Sequence, residues 1–298
     1  MKRGLTLAIL LILAGALVLF ASGCVSEEPP EGETEEGAVE ETEGAVEGET
    51  EEVEETEEME ETEGAVEGET EEMEETEEME ETEGAGMEEE YSPVINPEDF
   101  VETIDNPYFP LTPGTTFVYE GETEDGSERN EVFVTLQTRE VMGVTTTVVR
   151  DRVWEDGELI EETFDWYAQD KDGNIWYFGE DSKEYEGGEV VSTAGSWEAG
   201  VGGALPGILI KGDPQVGDVY RQEYLEGEAE DMAEVLSLTE SVSVPYGSFE
   251  NCLKTKEWTP LEPGVEENKY YASGTGMLLE EVAKGGSGRL ELVEIKTE

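Results

Sequence analysis

The sequence predicts an all-β fold, an antiparallel meander curled into a half-barrel or barrel and preceded by a disordered acidic tether. Three observations predict it. From Thr115 onward, apolar and polar residues alternate in runs of strand length, rich in β-branched and aromatic types. Turn signals such as Met142-Gly143, Asp156-Gly157 and Asp172-Gly173 divide those runs. No long stretch carries a helical period; 226–236 is the one fair candidate, and a strand suits it equally. Short sequential hairpins make a meander, and a long meander must curl to bury one face.

Taken in order, Phe117 and Tyr119 alternate with Val118 and Glu120 in the first run. Val132, Val134 and Leu136 line one face of the second. Runs at 144–154, 159–168 and 174–178 follow, then 219–225, 233–244, 252–259, 268–272, 277–282 and 289–295, making ten or eleven strands. The segment 200–214, GVGGALPGILIKGDP, breaks this rhythm and reads as a loop. Loops in water rarely carry Leu205, Ile208, Leu209 and Ile210 together. The segment is expected either to cover a sheet edge or to rim an apolar pocket.

The domain organisation follows from composition. Residues 1–23 are predicted to be a lipoprotein signal peptide, 24–90 an acidic low-complexity tether, and 91–298 a β-rich extracytoplasmic domain. Lys2 and Arg3 precede seventeen uncharged residues, Leu5 to Ala21. The small residues Ala21, Ser22 and Gly23 then lead to Cys24. That order resembles the lipobox of bacterial and archaeal lipoproteins, which implies cleavage before Cys24 and lipid on it. An uncleaved anchor and plain secretion are the alternatives; each places the domain outside the cytoplasm. The expected address is the outer face of the cell membrane. In the tether, the twenty residues Gly44 to Glu63 recur as Gly64 to Glu83 with Val53 replaced by Met73. So little apolar content cannot offset the entropy of ordering, and a spacer is expected.

Charge and chemistry narrow the function classes. The chain carries 79 acids and 16 bases, a formal net charge of −63. Thirty-four of the acids are Glu in 27–90, leaving 45 acids against 14 bases from Tyr91 onward. Such a field repels nucleic acid and anionic lipid and attracts cations. Histidine is absent, so the usual base at neutral pH, the usual zinc ligand and a Ser-His-Asp triad are all missing. No enzyme and no cofactor are expected. Cys252 lacks an activating base and reads as a small core residue.

Two further groups of residues are candidates for binding. Trp166 and Trp176 belong to an aromatic cluster that reads as core, or as a stacking surface if exposed. If they face inward, Tyr167 and Tyr177 face out. Asp170, Asp172 and Asn174 look like part of a calcium loop, but their flanks are strand-like and a hairpin turn explains them. Arg150 and Arg152 share one face of a strand with Asp151 opposite, and pairing with acids is their expected role.

The run 106–114, NPYFPLTPG, followed by Phe117 to Tyr119, resembles the opening of the TapB-like group of uncharacterised envelope lipoproteins. The runs 244–254, VPYGSFENCLK, and 269–276, KYYASGTG, resemble that group's paired closing strands. The resemblance implies an antiparallel half-barrel of the LolA/LppX type and an envelope location. It supplies no catalytic residue. The sequence thus points to a membrane-anchored extracytoplasmic binding module. Its expected ligand is apolar or lipid-like, lined by Leu205, Ile208, Leu209, Ile210, Trp166 and Trp176. The rival is a cell-surface structural or interaction protein, with other surface proteins as partners and no small ligand.

Overall fold

The computed structural model describes residues 91–297. The expected signal peptide, Cys24 and the tether lie outside the described residues. Among the described residues there is no α-helix; a three-residue 3-10 turn, Pro97–Asp99, precedes sixteen strands. The early strands are β1 (Phe100–Val101), β2 (Thr115–Thr123), β3 (Ser127–Val141), β4 (Val144–Glu155), β5 (Glu158–Asp170) and β6 (Ile175–Glu186). The middle ones are short: β7 (Glu189–Ser192), β8 (Trp197–Glu198), β9 (Leu205–Ile210), β10 (Val219–Arg221) and β11 (Glu223–Tyr224). The last five are β12 (Met232–Val244), β13 (Gly247–Trp258), β14 (Glu266–Ala272), β15 (Gly276–Lys284) and β16 (Gly288–Thr297).

They form one antiparallel sheet, thirteen of them in the order β10-β12-β13-β14-β15-β16-β2-β3-β4-β5-β6-β9-β11, with β1 paired to β5 and both β7 and β8 paired to β6 off this path. Its two end strands are consecutive in the chain, separated by Gln222 alone. One short segment therefore pairs with β12 through its first half and with β9 through its second, and the sheet becomes a nearly closed barrel. Gln222 reaches both sides: its N–H donates to the Asp231 carbonyl at 2.8 Å and its Nε2 to the Leu209 carbonyl at 3.3 Å. The seam is tight, since a Cβ on Gly207 would lie 2.2 Å from the Gln222 carbonyl carbon. Closure removes the exposed edges that an open meander of this length would present.

The loop expected over 200–214 is a correction. Leu205–Ile210 is strand β9, and it is hydrogen-bonded between β6 and β11. Its apolar residues close the wall; Leu209 and Ile210 are fully buried. The helical candidate at 226–236 is a turn leading into β12.

Along β5 and β6 the inner face carries polar residues and tyrosines, while other rings face out. Along β5, Thr163, Asp165, Tyr167 and Gln169 are buried on one face, and β6 presents Tyr177, Glu180 and Ser182 opposite them. These line the lumen. Phe164 and Trp166 point outward, each beneath a cation: Lys183 above Phe164 and Arg139, 3.9 Å from the ring centroid, above Trp166. The same roofing recurs with Arg150 over Phe133, Arg152 over Trp154 and Lys256 over Trp258. Such charges do not suit a lipid-facing belt, where an Arg or Lys costs about 2–4 kcal/mol at the bilayer midplane.

One end of the barrel is plugged. The run 104–111 folds across it, burying Ile104, Phe109 and Leu111. Phe109 meets the Tyr167 ring edge-on at 5.4 Å. Asn106 anchors the plug, accepting from the Tyr108 N–H and donating Nδ2 to the Gly173 carbonyl, each at 2.8 Å.

Candidate functional site

The lumen is the candidate site, and parity builds it. Every second residue of the long strands points inward, and the sequence puts acids at those positions. Asp151 on β4, Asp165 on β5, Glu180 on β6 and Glu223 on β11 occupy one half of the wall, all buried. Glu257 on β13, Glu267 and Lys269 on β14 and Glu280 on β15 occupy the other. Among the described residues Lys269 is the only buried base.

The Lys269 half is largely self-neutralised. The Lys269 Nζ lies 3.0 Å from Glu257 and 3.6 Å from Glu280. Glu257 also accepts from the Thr255 hydroxyl at 2.9 Å and the Tyr271 hydroxyl at 3.4 Å. Burial pulls the ammonium down, but Glu257 and Glu280 outweigh it, and its pKa ends well above the usual lysine value. Glu267 is the exception: its Oε2 is buried without a hydrogen-bond partner. Burial, then Glu280, hold its carboxyl well above the usual range, and Lys269 offsets only part.

Among the described residues the other half has no buried base. Tyr167 and Tyr177 stack at 5.0 Å, Trp197 meets Tyr177 edge-on at 5.2 Å, and Trp197 Nε1 donates to Glu223 at 3.1 Å. The Tyr177 hydroxyl donates to Asp165 at 2.9 Å, and Asn130 donates its amide to Asp151. Four oxygens nevertheless have no partner: Asp151 Oδ2, Glu180 Oε1, Glu223 Oε1 and the Tyr167 hydroxyl. Burial raises all three carboxyls far above their usual range. Asp165 adds to the shift at Asp151 and Glu180, and Asp231 adds to it at Glu223. A buried unpaired carboxylate is so unfavourable that the group keeps its proton instead.

At the end opposite the plug the lumen opens. The β2–β3 turn, the β15–β16 turn and the approach to β14 surround a cavity of about 50 Å³ there. Glu128, Glu267 and Glu280 form its buried floor, Glu124, Asp125 and Glu281 its lip, and Val265, Val282 and Leu290 its apolar side. Burial, followed by Glu280, Glu155, Glu161 and Asp125, pushes the Glu128 carboxyl up to about 8. Close approach of β16 and β2 helps shape this end, because a Cβ on Gly121 would lie 1.7 Å from the Arg289 carbonyl oxygen.

The residues expected to line an apolar site do not gather around this mouth. Trp166, Trp176 and Ile208 lie on the outer wall, with Trp176 opposite Ile208 across β6 and β9. Tyr167 and Tyr177, not the tryptophans, face the lumen. Leu209 and Ile210 are core, and Leu205 pairs with Tyr224 at the seam. Asp170 organises the β5–β6 turn, accepting from the Asp172 and Asn174 N–H groups and, at 2.8 Å each, from Asn174 Nδ2 and Trp176 Nε1. Among the described residues no group of three or more acids, histidines or cysteines is arranged to hold a metal ion. Arg152 pairs with Glu131 at 3.0 Å on the outer wall, Asp151 faces in, and Cys252 is fully buried.

No protein-family model matches the chain, and no curated protein matches it. Two solved structures resemble it. One is a Bacteroides fragilis protein inferred to be exported, with a YmcC-like fold; it is 19% identical, has a TM-score of 0.40, and the match covers 64% of this chain and 99% of that one. The other is a Parabacteroides distasonis protein inferred to be a lipoprotein, 13% identical with a TM-score of 0.37 and the same coverage of each chain, 64% and 99%. Likenesses this distant carry no functional argument, so function must be read from the residues of this chain.

Proposed function

We propose that the chain is an exported, lipid-anchored binding module of the cell envelope whose ligand enters the open end of the barrel. The observation that carries the binding reading is the contrast between the two ends. One is sealed by Phe109 and Leu111, and the other opens onto buried carboxyls, one of them with an oxygen lacking any partner. The address is supported by Lys2 and Arg3, the apolar run and Cys24. Kinship with TapB-like envelope lipoproteins agrees with both and is part of the proposal. So is the absence of catalysis, since a chain without histidine lacks the commonest general base.

The apolar or lipid-like guest expected from the sequence would find Val265, Val282 and Leu290 on one side of the mouth but carboxyls on the floor. A polar or amphipathic guest suits that lining better. A second reading, a surface interaction protein with no small ligand, is favoured by the ring packing of Tyr167, Tyr177 and Trp197, which occupies the lumen beside Asp165 and Glu223.

Native mass spectrometry of the full chain in detergent, after incubation with a small-molecule extract of cell envelopes, separates the two. A single adduct that vanishes when Val282→Trp fills the mouth is the expected result. A bare mass from every extract overturns the binding reading. Intact-mass measurement of the membrane-extracted protein tests the address: a chain beginning at Cys24 with added acyl mass is expected, and an unmodified chain that still carries Met1 to Gly23 overturns lipid anchoring at Cys24.

A further inference from the structure

We propose that the open mouth is a site for a small organic cation, a molecule bearing a primary ammonium or guanidinium group, held against Glu267, Glu128 and Glu280. The inference rests on the binding reading and names the chemistry of its ligand. Six acids border the cavity, and Arg289 is the one base among them. Arg289 is already engaged, with its terminal nitrogens 2.9 Å from Glu281 and 2.8 Å from Glu291. Lys269 stands behind Glu280, held there by Glu257, and does not border the cavity.

Glu267 is the group that lacks a partner. Its side chain lines the cavity, the residue is 3% exposed, and its Oε2 is buried with no donor. Leaving such an oxygen unmatched is costly. An ammonium or guanidinium N–H supplies both the hydrogen bond and the opposite charge. A bare metal ion fits less well, because no trio of carboxylates is placed to coordinate one among the described residues. The apolar side formed by Val265, Val282 and Leu290 suits the carbon skeleton of an amine. A single water needs roughly 10–15 Å³ of such space. The cavity, at about 50 Å³, therefore takes a head group of a few heavy atoms, with the rest of the molecule leaving through the open side. Glu128 and Glu267 hold protons more firmly than ordinary carboxyls do. A seated cation favours their ionised form, so binding releases protons.

Titration calorimetry of the full chain in detergent tests this with n-butylammonium, guanidinium, n-butanol, butyrate and calcium as probes. Saturable heat is expected for butylammonium or guanidinium only, with a buffer-dependent part that reports proton release. Glu267→Gln should weaken binding about tenfold, or about 1.4 kcal/mol. Glu124→Gln, at the exposed lip and away from the core, should weaken it about two- to fivefold; it keeps the test valid should the Glu267 variant misfold. Butanol or butyrate bound with an affinity that neither variant changes overturns the cation and leaves the binding reading standing. Preferential binding of calcium overturns the organic class. Silence from every probe removes the cation proposal, and the binding reading falls with it only if the envelope extract also leaves a bare mass.

Discussion

The two halves of the lumen contain the same acidic side chains and solve the problem of burying them differently. Around Lys269, Glu257 and Glu280 share a cation and Glu257 is saturated with hydrogen bonds. Around Tyr167, Asp151, Glu180 and Glu223 each keep an oxygen with no partner, and no base is buried among them. The difference teaches that a closed β wall can enclose acids in two ways. It can supply a counter-charge from the chain, or leave the carboxyls protonated among tyrosines. The open mouth lies where the first solution is incomplete, at Glu267.

The largest test of this contrast is Lys269→Met. Removing one partner of a buried ion pair costs about 3–5 kcal/mol, because the remaining charges are stranded. Urea unfolding should show that loss, growing with pH as the raised carboxyls of Glu267 and Glu280 become harder to keep protonated. A loss below about 1 kcal/mol would mean that the Lys269 half is no better matched than the other.

On the Tyr167 side the sign reverses. Glu180→Gln replaces a buried carboxyl whose Oε1 has no donor with a neutral amide, and stability should hold or rise by about 1 kcal/mol. The same unfolding experiment on Glu257→Gln, which disrupts the Lys269 triad, should show a clear decrease. If both substitutions destabilise alike, the distinction between the halves is broken.

How much of this was legible beforehand depended on which signal carried it. The strand runs from Thr115 to Ala168 and from Ala233 to Ile295 were legible because alternation and turn pairs mark them. The observed turns at Met142-Gly143 and Asp156-Gly157 use residues with positive φ, as such pairs require. β9 was missed because Gly203, Pro206 and Gly207 read as loop, although Gly207 is there to let the seam close. The lumen was illegible for a deeper reason. Hydropathy alone turns Phe164 and Trp166 inward, and tertiary structure reverses this by roofing both rings with cations outside. Nothing in a background of 45 domain acids distinguishes Asp151 or Glu180 from a solvated carboxylate. The usable sign was Asp151 flanked by Arg150 and Arg152, a strand whose long cationic stems need the outer face.

A smaller, graded effect comes from pH. Burial lifts Glu128 to about 8 and both Glu161 and Asp165 to about 7; Glu280, Glu155 and Asp125 add to the first, and Glu184 to the second. Hydrogen bonds from Thr163 and Tyr177 pull the last two back in part. Unfolded carboxyls titrate near about 4, so the folded domain binds the extra protons. The stability these groups contribute is complete below that value and is lost as pH rises through 7 and 8. Glu131, held low by Arg129 despite its burial, acts in the opposite sense only on the acid side of this window. Tm should therefore fall between about pH 5 and about pH 9, with a shallower slope in Asp165→Asn. A flat or rising profile would show that the Tyr167 half is neutralised by something other than protons.

The smallest test compares a base inside the barrel with one outside. Arg139 lies 3.9 Å above the Trp166 ring and pairs with Glu198, as Lys269 pairs with Glu257, yet its side chain is 45% exposed. Water competes for both of its interactions, and exposed cation–π and ion-pair contacts are each worth about 1 kcal/mol or less. Trp166 would remain buried by its strand neighbours after Arg139→Gln, and no charge would be stranded in the interior. Unfolding of that variant should register a decrease of about 0.5–1 kcal/mol, weaker still in high salt. A loss matching that of Lys269→Met would mean that the outer roof, not the luminal ion triad, governs stability, and the two bases would have to exchange roles.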